Sequence, residues 1–379
     1  MERKRIYLSS PTMHGEEQAF VQSAFDTNWV APLGPNVDAF EKEMVDYIGG
    51  GYAAALSAGT AAIHLAVILA GVKEGDVVFA QSLTFAASVN PACYEKAKPV
   101  FIDSEPDTWN MDPVALEKAF EKYPHPAAVI AVHLYGTPSK IDRIRDICKK
   151  HQVPLIEDAA EALGSSFQGQ KLGTFGDYGI LSFNGNKIIT SSGGGMLLCS
   201  DEAKIKRARF LATQARDPAR YYQHSTIGYN YRMSNVVAGV GRGQLLHLEE
   251  HKARKNEIYR QYKEAFADIE AITMNPMNPM NPDGDANNWL SCMTIAPDCS
   301  VTPDQVMDVL AEYNIETRPI WKPMHLQPVF ADCDFIQVKE GRSVSEDIFN
   351  RGVCLPSDIK NTPEDMELII SLIRKVFEK

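Results

Sequence analysis

The chain has 379 residues, 45% hydrophobic and 23% charged, with a formal net charge of −11 at pH 7. That length suits two domains, or one large α/β domain with a smaller appendage, and the composition is that of an ordinary globular protein. The acidic balance argues against a nucleic-acid partner or an anionic membrane surface, while leaving room for a local basic pocket.

The first residues, Met1-Glu2-Arg3-Lys4-Arg5, run into a short strand-like Ile6-Tyr7-Leu8 instead of an apolar leader, so no signal peptide is expected. Ser57-Ala58-Gly59-Thr60 then opens a helix through Ala70. Backbone N–H groups at such a start cradle phosphate, and a plain Ser/Thr N-cap is the alternative. The longest apolar stretch, 61–72, contains His64 and is too short for membrane insertion. The seven cysteines are scattered without a CxxC pair, which fits a reducing cytoplasmic location, with neither a metal site nor a disulfide framework.

From about residue 50 to 200, apolar runs alternate with helical periods. The runs are Val77-Val78-Phe79-Ala80, Pro99-Val100-Phe101-Ile102-Asp103, Ala128-Val129-Ile130-Ala131-Val132, Val153-Pro154-Leu155-Ile156 and Gly179-Ile180-Leu181-Ser182-Phe183, with helices expected at 114–121 and 141–150. This pattern predicts an α/β fold with a largely parallel sheet covered on both faces. Ligands of such sheets bind beyond the carboxyl ends of the strands. Asp103, His133, Asp158 and Ser182 lie at or just past those ends and are expected to face one cleft.

Beyond residue 200 the pattern predicts long charged helices at 201–214 and 234–266. Met274-Asn275-Pro276 is then repeated twice through Pro282, which predicts an exposed loop. Thr302-Pro303-Asp304-Gln305 and Thr362-Pro363-Glu364-Asp365 have the form of capped helix starts. A large domain at 1–250 and a smaller C-terminal α/β domain at 251–379, ending in a helix over 363–378, follow from this.

Two residues carry the chemistry. Lys187 ends Ser182-Phe183-Asn184-Gly185-Asn186-Lys187, is followed by Ile188-Ile189, and precedes Gly193-Gly194-Gly195. A lone lysine is normally a solvated surface charge, whereas a partly desolvated amine is a better nucleophile. Asp158 ends the strand Leu155-Ile156-Glu157-Asp158, with a helix N-cap as its alternative role. An amine and an acid at the edges of apolar strands are what pyridoxal phosphate requires. The amine forms a Schiff base with the aldehyde, and the acid keeps the pyridine nitrogen protonated. Phe85 is either core or a ring stacked on the pyridine. Asn230 and Arg232, in Gly228-Tyr229-Asn230-Tyr231-Arg232, suit anion contact or a plain connection.

Over nearly its whole length the chain resembles the DegT/StrS-type nucleotide-sugar aminotransferases. The matching stretches are Ser57-Ala58-Gly59-Thr60-Ala61-Ala62, Thr84-Phe85, Val132-His133-Leu134-Tyr135-Gly136, Glu157-Asp158-Ala159-Ala160-Glu161, the segment from Ser182 to Lys187, the segment around Asn230 and Arg318-Pro319-Ile320-Trp321. Asn28-Trp29-Val30-Ala31-Pro32-Leu33-Gly34-Pro35 and Asn184-Gly185-Asn186-Lys187-Ile188-Ile189-Thr190 are most similar to the bacillosamine-pathway enzymes, which aminate C4 of UDP-4-keto-6-deoxy-N-acetylglucosamine.

The resemblance implies fold type I, the aspartate-aminotransferase architecture, in a homodimer with shared active sites. It implies Lys187 as the Schiff-base lysine, Asp158 as the pyridinium partner and Phe85 as the stacking ring. Gly59, Thr60 and Ser182 would hold phosphate, Asn230 would reach the neighbouring subunit's cofactor, and Glu161 would lie near the cofactor's phenolic oxygen. Trp29, Arg318, Trp321 and His325 are implied as nucleotide-sugar contacts. L-Glutamate would donate the amino group, leaving 2-oxoglutarate. Two alternatives stand beside this: C3 or C4 amination of another nucleotide keto-sugar, as in GDP-perosamine synthesis, and a non-catalytic regulatory protein that binds pyridoxal phosphate.

Overall fold

Residues 4–276 and 286–378 are described by the computed structural model. The chain enters through two helices, α1 (Glu16–Asp26) and α2 (Pro35–Ile48), before the first strand, β1 (Tyr52–Leu56). There follow α3 (Gly59–Leu69), β2 (Val77–Gln81), α4 (Asn90–Tyr94), β3 (Lys98–Ile102), α5 (Pro113–Lys122), β4 (Ala128–Val132), α6 (Ile141–His151) and β5 (Leu155–Asp158). A small hairpin of β6 (Ser166–Phe167) and β7 (Gln170–Lys171) leads to β8 (Tyr178–Ser182) and β9 (Gly195–Cys199).

The five predicted apolar runs fall in strands β2, β3, β4, β5 and β8, which are parallel to one another. The large sheet runs β1-β9-β8-β5-β4-β2-β3 and ends on β13 (Phe335–Ile336), supplied from far along the chain. Alternate residues serve opposite faces: Phe79, Val129 and Ala131 join one apolar cluster, and Val78, Ala80, Ala128 and Ile130 the other. Helices cover both clusters, which is why these strands read as unbroken apolar runs.

β1 and β9 were not anticipated. Tyr52-Ala53-Ala54-Ala55-Leu56 is alanine-rich, a composition that favours helix, and β9 starts inside the glycine run. Pairing decides both: β9 lies antiparallel between β8 and β1, where small side chains fit under the helices.

The second half departs further from expectation. Of the segment 201–214, Asp201 is the N-cap, accepting from Ala203 N at 2.8 Å, of a shorter helix, α7 (Glu202–Ala212). The expected single helix at 234–266 is two, α8 (Asn235–Leu245) and α9 (Leu248–Ala265). The chain turns at Leu246-His247, where the His247 ring is held by Glu16 and Glu250. Gly241 and Gly243 let α8 approach closely, since a Cβ would meet the Phe40 ring at 2.7 Å and Glu17 N at 2.5 Å.

A second sheet contains β10 (Ile272–Met274), β11 (Ser291–Ile295), β14 (Gly352–Leu355) and β12 (Arg318–Pro319) in that order. It packs with α9, α10 (Pro303–Glu312) and α12 (Pro363–Phe377), while α11 (Val344–Arg351) precedes β14. Both predicted helix starts are reciprocal capping boxes: Thr302 with Gln305, and Thr362 with Asp365. Ile6 bridges Ile315, tying the N-terminal segment to this unit. The first MNP unit is not an exposed loop. Met274 pairs with Met293, and buried Asn275 exchanges bonds with the Cys292 backbone, its N donating to Cys292 O and its Oδ1 accepting from Cys292 N, each at 2.8 Å. The two later units lie outside the described residues. Among the described residues, no helix is long and apolar enough to cross a membrane.

Candidate active site

The carboxyl ends of β1, β5 and β8 open on one cavity of about 390 Å³, at the position that parallel strand ends predict. α3 begins there. Its N-cap is Ala58, in extended conformation, and no side chain caps the helix. The N-cap alternative for Ser57 and Thr60 therefore fails, and the first-turn N–H groups beside Gly59 and Thr60 are left for an anion. Glycine is required at one point of the cradle, Gly195, where a Cβ would come within 2.4 Å of Ala58 C and Gly59 N. A Cβ on Gly59 would be a tight fit, 3.2 Å from Ser182 Cβ.

Asp158, 3% exposed, ends β5 on the cavity wall. Its Oδ2 accepts from Ser88 Oγ at 2.6 Å and its Oδ1 from Ala160 N at 3.1 Å. The second bond is that of a cap, but a turn follows it and not an α-helix. Lys187 reaches the same cavity with its side chain 13% exposed. Its Nζ lies 3.5 Å from Glu161 Oε1 and 4.1 Å from the centroid of the Trp289 ring. Glu161 is buried, and its Oε2 accepts from Tyr135 N at 2.7 Å. Burial pushes the Glu161 carboxyl above the ordinary range, against the opposing pull of the Lys187 charge.

Phe85 is not core: it is 51% exposed and lines the cavity with Trp321, their centroids 5.2 Å apart. Trp321 N donates to Tyr135 Oη at 3.0 Å, while its Nε1 is buried with no partner among the described residues. An orphan donor of this kind costs about 1–3 kcal/mol, so its place beside the cavity suits a ligand acceptor. An anion cradle, a buried acid, an amine and a ring face around one space fit pyridoxal phosphate.

Other predicted residues lie elsewhere. Asn230 is exposed, bridges Thr213 and does not line the cavity. Trp29 is 42% exposed, with its carbonyl held by Asn235 Nδ2 at 3.0 Å. Arg318 is exposed and pairs with Glu316 at 2.6 Å. His325 is packed away from the cavity: Nδ1 meets Ser82 Oγ at 2.6 Å, Nε2 meets Glu346 at 3.2 Å, and the ring stacks on Phe335. Three readings are corrected. Asp103 caps α11 through Val344 N and Ser345, His133 is buried against Glu157 at 2.9 Å, and Arg232 is paired with Glu41 at 3.0 Å. None of the three faces the cleft.

Ser88, Tyr135 and Trp289 were given no role from the sequence. Ser88 follows Phe85 by three residues, and Tyr135 sits in a quoted match at a left-handed φ of 53°. Trp289 carries no local signal at all. Away from the cavity, His14, His247 and Glu250 group their ligand atoms within 4.8 Å. The two rings stack at 3.7 Å and 7°, so no single ion lies in both ring planes.

The sequence model of the DegT/DnrJ/EryC1/StrS aminotransferase family matches residues 11–374. The chain is 51% identical over 378 residues to EpsN of Bacillus subtilis (strain 168), covering 99% of this chain and 96% of that one. It is 35% identical to the GDP-perosamine synthase of Caulobacter vibrioides (strain ATCC 19089 / CIP 103742 / CB 15), covering 98% of each. The crystal structure of a DegT DnrJ EryC1 StrS aminotransferase from Brucella abortus superposes with a TM-score of 0.87 at 27% identity, covering 96% of each chain. The architecture is that of fold type I, as in these structural neighbours. The chain thus belongs to the DegT/DnrJ/EryC1/StrS family and is a pyridoxal-phosphate-dependent sugar aminotransferase.

Proposed function

We propose that the chain moves the amino group of L-glutamate to C4 of a UDP-linked 4-keto-6-deoxy-N-acetylhexosamine, forming UDP-N-acetylbacillosamine, as a cytoplasmic homodimer with shared sites. The observation that carries the chemistry is the meeting of Lys187 Nζ, buried Asp158 and the uncapped start of α3 around one cavity. Bound pyridoxal phosphate supplies an electrophilic carbon and an electron-accepting ring.

The geometry of the cavity supports the following part for the protein. The first-turn N–H groups at Gly59 and Thr60, with Ser182 Oγ, hold the phosphate. Asp158 keeps a proton on the ring nitrogen, and Phe85 covers a ring face. Lys187 would hold the cofactor through its Nζ and would carry the proton removed from the donor's α-carbon. Such positioned proton transfer contributes roughly 10²–10⁴-fold. Glu161, whose neutral form burial favours, would lie near the phenolic oxygen. Asn230, exposed on its own chain, reaches the partner's phosphate. Trp321, with its orphan Nε1, and the exposed Trp29 and Arg318 contact the nucleotide sugar.

The UDP substrate rests on the likeness of the segments at 28–35 and 184–190 to bacillosamine-pathway enzymes. Identity of 35% to a GDP-perosamine synthase supports a second reading, amination of a GDP-linked keto-sugar. Incubation with glutamate and a panel of UDP-, GDP- and dTDP-4-keto-6-deoxy sugars, read by product NMR, tests both. Amination of the UDP sugar at C4 is expected. Product from the GDP sugar alone selects the second reading, and no amino sugar from any donor–acceptor pair overturns both.

A further inference from the structure

Both backbone carbonyls flanking Lys187 are held from behind. Ile188 O accepts from His251 Nδ1 at 2.8 Å. Asn186 O accepts two bonds, from Trp289 Nε1 at 2.7 Å and from Ser9 Oγ at 3.0 Å. Trp289 is also the ring over which Lys187 Nζ rests. Behind Ser9 and Trp289 stands Lys255 of α9, only 3% exposed. Its Nζ donates to Ser9 Oγ and to Trp289 O, each at 3.0 Å.

This is an unusual use of a lysine. Buried lysines are normally ion-paired, because an unpaired ammonium loses its hydration without compensation. Asp358 acts on Lys255 only at longer range, its carboxylate being engaged by Ser10, and burial drives the Lys255 amine down to about 7. An aliphatic side chain of the same length would fill this space at less cost. What it would lack is the pair of donors that orient Ser9 and the Trp289 backbone together. When Lys255 is protonated, its charge-assisted donation to Ser9 also strengthens the onward bond from Ser9 to Asn186 O, since bonds in such chains polarise one another.

We propose that Lys255 is a positioning residue for the aminotransferase reaction: acting through Ser9 and Trp289, it fixes the Asn186 carbonyl and the indole face and so aims Lys187 Nζ into the cavity. The proposal rests on the assignment of Lys187 as the cofactor-linked lysine. A misplacement of 1 Å in such a group costs about 100-fold in rate.

The test uses the holoenzyme and four variants: Lys255→Met, Ser9→Ala, Ser9→Thr and the Lys255→Met/Ser9→Ala double. Three quantities are read: the pH at which the visible band of the bound cofactor titrates without amino donor, the rate of band loss at saturating glutamate with its half-saturation concentration, and the thermal midpoint. Asp358, His251 and His14 are the other ionisable groups beside this network, so each variant is compared with wild type over the whole pH range. Lys255→Met and Ser9→Ala should each displace the band titration and slow the saturated rate at least about tenfold, with half-saturation within about twofold of wild type. Ser9→Thr, which keeps the hydroxyl, should restore both, and the double variant should be no slower than the worse single one, as expected of one shared path.

An unchanged band titration and rate in Lys255→Met, whatever its thermal midpoint, overturns the proposal. Where Lys255→Met does not fold, a wild-type band and rate in Ser9→Ala overturn it equally. Borohydride reduction and peptide mapping of the wild type separate the two layers. Cofactor trapped on a lysine other than Lys187 refutes the site assignment, whereas trapping on Lys187 with unaffected variants refutes only the role of Lys255.

Discussion

Replacing Asp158 by Asn should separate the fold from the chemistry. The carboxylate makes two bonds in the protein, accepting from Ala160 N through Oδ1 and from Ser88 Oγ through Oδ2. An amide keeps the oxygen that faces Ala160. Its NH₂ then faces Ser88, whose hydroxyl can turn, because Ser88 Oγ also lies 2.8 Å from Thr84 Oγ1 with either atom able to donate. The change therefore exchanges two hydrogen bonds to a charged group, each worth about 1.5–3 kcal/mol, for two neutral ones, each worth about 0.5–1.5 kcal/mol. A stability loss of about 2–3 kcal/mol is expected. The catalytic loss should be larger, because a neutral amide cannot hold the cofactor's ring nitrogen protonated. A fall of three powers of ten corresponds to about 4 kcal/mol of barrier. Urea denaturation of the apo protein measures the first quantity, and single-turnover loss of the visible band with glutamate measures the second. Near-wild-type turnover in Asp158→Asn refutes the assigned role. A rate loss no larger than the loss of folded protein refutes the separation.

Lys187→Ala should abolish turnover while the protein still binds pyridoxal phosphate reversibly, as equilibrium dialysis would show, because the helix start, Ser182, Phe85 and Asp158 remain. Residual turnover near wild type removes Lys187 from its role. Mixing the inactive Lys187→Ala and Asn230→Asp proteins should restore up to one working site per mixed dimer, since both defects fall on the other site. Heterodimers that form without activity return Asn230 to a connecting role. The stability of wild type relative to Lys255→Met should rise as pH increases from about 7 toward about 10.4, the ordinary lysine value. A depressed folded-state value means that the unfolded chain binds more protons in that window, so the slope of stability with pH is positive there. Parallel stability curves for the two apo proteins would show that Lys255 is not depressed.

The local pattern determined much of this protein. Parallel strands buried on both faces must be apolar throughout, so β2, β3, β4, β5 and β8 are legible as runs, and Thr302-Pro303 and Thr362-Pro363 announce their helices through capping chemistry that spans only four residues. Lys187 and Asp158 are legible because each sits where an apolar strand gives way to a polar residue. The tertiary structure alone decided what depends on contacts distant in sequence. Alanine-rich β1 is a strand because β9 pairs with it, and the expected helix at 234–266 breaks where His247 meets Glu16 and Glu250. Asp103, His133 and Asp158 look alike as polar residues at strand ends, yet the first caps α11, the second binds Glu157 and only the third reaches the cavity. Trp289 beneath Lys187, and Lys255 behind both, lie 102 and 68 positions from that lysine in the chain. No periodicity or motif spans such separations, because the free energy that brings these side chains together belongs to the packing of whole elements.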